Sequence, residues 1–246
     1  MTLHLRPFVL LASLWLAGGV AAAAGLQVSP VSLTLAANQT AEGLWLSNTE
    51  NTPVNAQVRV FRWTQEGGED KLTPTRGLVI SPPMLQLAGG DRQLIRAIRL
   101  GAPPSGPNAA QEAYRMIIDE LPADTTGKKG VQFVLRYSVP VFVEPAGAPA
   151  APAQLSWTIR REGDKAVLEV ANTGGTAAQL ASLTFTDAAG HRTELTPGLL
   201  GYVLPGAQMR WALKPAAKVF ASGGTLETLI NGQTVQQNIA LVDAPR

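Results

Sequence analysis

His191 and Asp187 are the first pair of side chains to suggest chemistry. A histidine with an aspartate to orient it would suit a hydrolytic triad, which also needs a serine presented on a sharp strand-to-helix turn. No serine of this sequence sits in such a motif, and Asp187-Ala-Ala-Gly190 reads as an exposed hairpin. The only other histidine is His4, and there is no cysteine. Zinc and copper sites need several nitrogen or sulfur ligands in one place, so neither a metal nor a cofactor is expected. The glycines are scattered through turns and do not precede a helix, which argues against a phosphate loop. Glu69 and Asp70 are adjacent carboxylates in a polar turn, not an acid and base facing one another. No catalytic residue is assigned, and the chain is not expected to be an enzyme.

Arginine and tryptophan are the remaining groups with binding chemistry. Twenty Lys and Arg against 18 Asp and Glu leave a net charge of only +2. So small and mixed a charge favours neither nucleic acid nor an anionic membrane as partner. Trp45, Trp63, Trp157 and Trp211 fall within strand-like runs, where packing in a core is the expected role.

The elements that must position these groups are almost all β. Residues 1–24 read as a signal peptide: Arg6 precedes the apolar run Phe8 to Ala17, and small residues lead to Ala22 and Ala24 in an A-x-A cleavage pattern. The run is too short to span a bilayer core of about 30 Å, so no stable membrane insertion is expected. Without cysteines, an exported protein depends on its hydrophobic cores for stability. The rest alternates short β-type runs with turns rich in Gly, Pro and Asn, among them Glu66 to Lys71, Ala88 to Asp91 and Asn231-Gly232. Leu26 to Leu35 is extended but interrupted by Pro30, which favours an edge or a bulge. Glu144 to Pro152 has almost no large side chains and too many prolines for a ladder. It divides the chain into a first domain at 25–145, a linker at 146–153 and a second domain at 154–246. About seven short strands per hundred residues is the count of an immunoglobulin-like sandwich, so the fold class is all-β with two such domains. An internal echo agrees: Leu44-Trp-Leu-Ser-Asn-Thr49 resembles Leu168-Glu-Val-Ala-Asn-Thr173, with a phenylalanine 13 residues after each asparagine.

Val131 to Val143 is the longest extended run. Val131, Phe133, Leu135, Tyr137, Val139, Val141 and Val143 keep a period of two throughout. Such a strand could lie at a sheet edge and pair with a protein whose own sheet is incomplete. It could equally be a central strand whose alternation is ordinary core packing.

Several short pieces together resemble the periplasmic assembly chaperones of the chaperone–usher pilus pathways (PapD-like). They are Ser47-Asn48-Thr49, Ser81-Pro82-Pro83 followed by Leu87, Gln93 and Arg96, then Tyr114-Arg115-Met116 leading to Glu120-Leu121-Pro122, and Val141-Phe-Val-Glu-Pro145. The resemblance implies a periplasmic protein with its two immunoglobulin-like domains in an L, and a cleft between them. It implies a donor strand that complements pilus or fimbrial subunits, which are then passed to an outer-membrane usher. On this chain Val131, Phe133, Leu135 and Tyr137 are the donor side chains, and the loop from Pro122 to Gly130 sets the strand's reach. The best-known members grip the subunit's terminal carboxylate with two basic residues. The matching positions here are Ser32 and Pro140, neither of which carries a charge. Candidate replacements are Arg96, Arg99, Arg115 and Arg136, since the arginine fork binds carboxylates with two hydrogen bonds. Glu144 also stands where many relatives carry a basic residue, so the chain resembles a divergent branch. Whether the free protein pairs its donor strand with a second copy is left open. The alternative function is a secreted structural, adhesive or ligand-binding β-sandwich.

Overall fold

The computed structural model describes residues 25–122 and 134–243. The expected signal peptide, most of the loop from Pro122 to Gly130, and Val131 and Phe133 lie outside the described residues.

Strands form where β-branched and aromatic residues alternate with polar ones. In the first half these are β1 (Leu26–Ser29), β2 (Leu33–Leu35), β3 (Ala41–Asn48), β4 (Val54–Glu66), β5 (Glu69–Pro74), β6 (Leu78–Ser81), β7 (Met84–Leu87), β8 (Arg92–Arg99), β9 (Glu112–Leu121) and β10 (Arg136–Val143). One sheet has the order β1-β3-β8-β6 and the other β2-β10-β9-β4-β5, with β7 on the first residues of β4. The run expected from Leu26 to Leu35 divides between them. β1 pairs with β3 in one sheet and β2 pairs in parallel with β10 in the other. The switch falls at Pro30, which follows a cis peptide bond and has no N–H to offer a ladder.

The second half contains β11 (Leu155–Glu162), β12 (Lys165–Asn172), β13 (Ala178–Asp187), β14 (Arg192–Val203), β15 (Gln208–Ala216), β16 (Gly224–Ile230), β17 (Gln233–Ile239) and β18 (Leu241–Asp243). Their sheets run β15-β12-β11-β18 and β14-β13-β16-β17, with one 3-10 turn at Ala217–Phe220. The Asn231-Gly232 turn has φ of 50° and 82°, the left-handed pair that a two-residue hairpin loop requires. No helix among the described residues is long and apolar enough to cross a membrane.

Each half closes over its own core. Leu35, Leu46, Ile95, Met116, Ile118 and Val141 are buried in the first. Ile159, Leu168, Leu180, Phe185 and Phe220 are buried in the second, where the two phenylalanine rings lie 4.8 Å apart.

The echoed asparagines hold equivalent corners. Asn48 Nδ2 donates to the carbonyls of Thr52, Leu87 and Ala88, and its Oδ1 accepts the N–H of Glu50. Asn172 Nδ2 donates to Thr176 and Val203, and its Oδ1 accepts from Gln154 and Gly174. In both corners the following threonine hydroxyl bonds back to an earlier carbonyl, Gly25 or Gln154. Both asparagines are buried, so each amide replaces water for several loop carbonyls at once.

Trp63 is 1% exposed, in line with a packing role, whereas Trp45 is 40% exposed. Leu44 and Leu46 point into the core, so the alternation of β3 turns Trp45 outward, where the Arg92 guanidinium stacks 4.5 Å from its ring.

Candidate subunit-binding cleft

One face of the β2–β10–β9–β4 layer is committed to the first core. Val139, Val141 and Val143 of β10, Tyr114, Met116 and Ile118 of β9, and Ala56 and Val58 of β4 all point there. The period of two therefore places Arg136, Ser138, Pro140 and Phe142, then Arg115, Ile117 and Asp119, then Gln57, Arg59, Phe61 and Trp63, on the opposite face. The register arranges that face in rows: Pro140–Arg115–Phe61, Ser138–Ile117–Arg59 and Arg136–Asp119–Gln57.

The second half covers one end of this face. Trp63, Ala113 and Phe142 pack with Ala177, Tyr202 and Leu204 in a third buried cluster. The Tyr202 ring meets Trp63 edge-on with centroids 5.3 Å apart, and Trp63 Nε1 donates to Asp70 at 2.9 Å. Two glutamine amides cross between the halves. Gln65 Nε2 donates to the Tyr202 carbonyl at 2.9 Å while its Oε1 accepts the Leu204 N–H at 2.8 Å. Gln111 Oε1 accepts the Ala177 N–H at 3.0 Å, and its Nε2 donates to Glu144 at 2.6 Å. Gly68, in the β4–β5 turn with φ of 83°, forms an isolated bridge with Met209 of β15.

Arg115 stands where the covered end meets the open floor. Its guanidinium lies 3.6 Å from the Trp63 centroid and 5.1 Å from that of Tyr202. Burial pushes its pKa below the usual arginine value, against the opposing charge of Asp70. Among the described residues no carboxylate comes within ion-pair distance of it, and its one hydrogen bond is a long contact of 3.4 Å to the Ser138 carbonyl. Stacking on aromatic faces stabilises a desolvated guanidinium by about 2 kcal/mol and leaves its planar edge open to a carboxylate. Ser32 precedes Leu33, the partner of Val141, so Ser32 and Pro140 stand level with one another and Arg115 lies opposite Pro140.

The other three arginines are placed differently. Arg99 donates to the carbonyls of Ala37, Gln39 and Gly101 and ties two loops together. Arg96 is exposed on the other sheet, beside Trp45 and Leu94. Arg136 bonds Asp119, which also accepts from Arg59 at 2.6 Å. Burial opposes ionisation of Asp119, but the hydrogen bonds and charges of these two arginines outweigh it and hold its pKa below the usual carboxylate range.

Of the candidate donor side chains, Leu135 and Tyr137 pack half-buried against the first core, on the same stripe as Val139 to Val143. The Tyr137 hydroxyl donates to the Leu26 carbonyl. The backbone alternates too. Leu135 C=O accepts from Glu120 of β9, while Glu144 N–H donates to Leu35 on the β2 side. The even-numbered residues of β10 therefore direct their main-chain groups away from β9. β2 occupies that side from Val141 onward and Ser32 stands level with the buried Pro140, leaving the edge at Arg136 and Ser138 uncovered among the described residues.

His191 is exposed, in the turn between β13 and β14. Its ring and backbone N–H meet Asp187 in the exposed hairpin, where the His191 N–H chiefly holds the Asp187 carboxyl below its ordinary pKa. Among the described residues no group of three or more His, Cys, Asp or Glu could hold a metal ion. The sequence did not single out Asp119, Gln65, Gln111 or Tyr202. No local motif marks them, because their importance comes from register and from contacts between the halves.

Comparison with known proteins gives a consistent result. Residues 25–149 match the family described as pili and flagellar-assembly chaperone, PapD N-terminal domain. No curated protein sequence matches the chain. Among solved structures, a chain of the chaperone–tip adhesion subunit pre-assembly complex CsuC–CsuE, from archaic chaperone–usher Csu pili of Acinetobacter baumannii, is 24% identical. The match covers 89% of this chain and 100% of that one, with a TM-score of 0.67. The Escherichia coli chaperone DraB is 18% identical over 89% of this chain and 97% of its own, with a TM-score of 0.59. A chain of the Salmonella enterica SafA pilin–SafB chaperone complex is 16% identical over 87% and 96%, with a TM-score of 0.60. At these identities the structures establish the two-sandwich fold.

Proposed function

The chain belongs to the PapD-type family of pilus and flagellar-assembly chaperones, and we propose that it holds pilus subunits by lending them the free edge of β10. The observation that carries this reading is the uncovered edge from Arg136 to Ser138, with Leu135 and Tyr137 on the stripe that continues into the protein's own core. A subunit sandwich that lacks a strand can take main-chain hydrogen bonds from the edge and apolar side chains from the stripe. Val131 and Phe133 extend the same alternation toward the amino-terminal end of the strand. Residues 25–145 and 154–246 act as the two domains, joined by 146–153.

The subunit's terminal carboxylate is held by Arg115. Pro140 and Ser32 supply no positive charge at the matching positions, and Arg115 lies beside them with its donors uncommitted to any carboxylate. Arg99 is occupied by loop carbonyls, and Arg96 lies on the other sheet. Chaperones solved with a tip adhesion subunit or a pilin provide precedent for such partners. The work is done in the periplasm and ends with transfer of the subunit to an outer-membrane usher. Without a subunit, the same edge is available to a second copy of the chain.

The test is purification of the tagged protein from the periplasm of its native host, with mass spectrometry of what accompanies it. A stoichiometric small partner whose sequence lacks one sandwich strand is the expected result. A protein recovered alone while the neighbouring genes are expressed would refute the reading and favour an adhesive or ligand-binding role.

A further inference from the structure

Four residues before Pro140 on β10, Arg136 stands opposite Asp119, on the same face as Arg115. The Asp119 side chain is 12% exposed and serves two guanidiniums at once, those of Arg59 and Arg136. One arginine would neutralise it, so these three side chains keep one positive charge, while the Glu120 carboxylate in the same depression turns to the Leu135 N–H. Arg136 reaches Asp119 through Nε alone, its side chain is 67% exposed, and its two terminal nitrogens have no partner among the described residues. Asp119 therefore fixes the guanidinium plane and leaves the fork aimed elsewhere. Arg136 also lies on the uncovered part of the β10 edge.

We infer that the Arg59–Asp119–Arg136 cluster recognises an acidic side chain four residues before the carboxyl terminus of the bound subunit strand. The inference rests on the donor-strand reading, with the terminal carboxylate at Arg115. β2 blocks the edge from Val141 onward and Ser32 stands level with Pro140, so a visiting strand whose terminal carboxylate reaches that level must extend back toward Arg136. It then runs parallel to β10. Parallel strands both advance about 3.3 Å per residue, so about 13 Å separates the two levels on each strand. Side chains four residues apart also share one face, which keeps the acidic group over the cluster. The positive charge and the free arginine fork are complementary to a carboxylate and to no apolar residue.

The test uses the mature protein and labelled peptides of about ten residues, the upper end of strand length, with alternating Val and Thr. Each peptide ends in a free carboxylate or an amide, and carries Asp or Asn four residues before its last residue. The Asp peptide is expected to bind about fivefold tighter than the Asn peptide, the upper end for an exposed ion pair. That difference disappears in R136Q, while the preference for free acid over amide persists. Equal binding of Asp and Asn peptides, with free acid still preferred, overturns the inference and leaves the donor-strand reading standing. An equal advantage for Asp moved to the neighbouring position also overturns it, since attraction would then be unspecific. If no peptide binds, both readings fall together.

Discussion

Pro140 of β10 lies directly opposite Arg115 of β9, and the parallel register of β2 brings Ser32 level with both. The two positions at which the family resemblance leads one to expect basic residues are thus neutral, and a guanidinium stands in the adjoining strand. Under the proposed function, the charge that holds the subunit's carboxylate comes from β9, the strand beside β10.

Arg115→Gln should abolish retention of a subunit while the protein stays folded, at a cost of about 2 kcal/mol from the lost stack on Trp63 and Tyr202. Arg99→Gln should spare that retention. Its guanidinium satisfies three loop carbonyls, so the substitution should cost about 2 kcal/mol of stability with subunit binding intact. Urea unfolding and subunit pull-down on both variants separate the two roles.

Leu135 and Val141 share one stripe of β10 but differ in surroundings. Leu135 is half-buried, whereas Val141 is fully enclosed. Leu135→Asp should give a folded protein, by circular dichroism, that recovers no subunit, because a charge would enter the subunit's apolar groove. Val141→Asp should unfold the first half, with a loss exceeding about 4 kcal/mol. Normal subunit recovery by Leu135→Asp would refute the donor assignment.

The duplicated corners predict separable damage. Asn172→Ala removes two donated and two accepted hydrogen bonds in a buried loop, at a cost of about 3 kcal/mol. Asn48→Ala should cost a similar amount in the first half. Hydrogen exchange followed along the chain should show each loss concentrated in the half that carries the substitution.

Asp119 gives a pH dependence of known sign. Its pKa is depressed by Arg59 and Arg136, so its contribution is present above the unfolded-state value of about 3.9. It is lost as pH falls from there through the lower folded value. Melting temperatures measured from pH 5 downward should fall less steeply in Asp119→Asn than in wild type. Parallel curves would mean that the ion cluster adds nothing to stability.

The sandwich architecture was legible because it is written in local periodicity. The alternation of Val139, Val141 and Val143, the Asn231-Gly232 turn and the paired Asn48 and Asn172 motifs each appear within a few residues of sequence. The cleft was only partly legible. Arg115 was one of four candidate arginines, and what distinguishes it is the register of β9 against β10, a relation between residues 25 positions apart. Trp45 and Trp63 both lie in strand-like runs, yet Trp45 faces solvent. Among the described residues its side of β3 has no second layer over it, whereas Trp63 is covered by Tyr202 from a segment far along the chain.

Gln65 and Gln111 span the two halves with amide groups that carry no charge and gain or lose no proton across ordinary pH. Their bonds to the second half are neutral, so mobile ions have little to screen there; a carboxylate stands behind each amide, Asp70 for Gln65 and Glu144 for Gln111. The set of one sandwich against the other is therefore little exposed, at these two bridges, to changes of salinity. A cleft hinged on ion pairs would loosen with every rise in salt; one latched by amides keeps its gape.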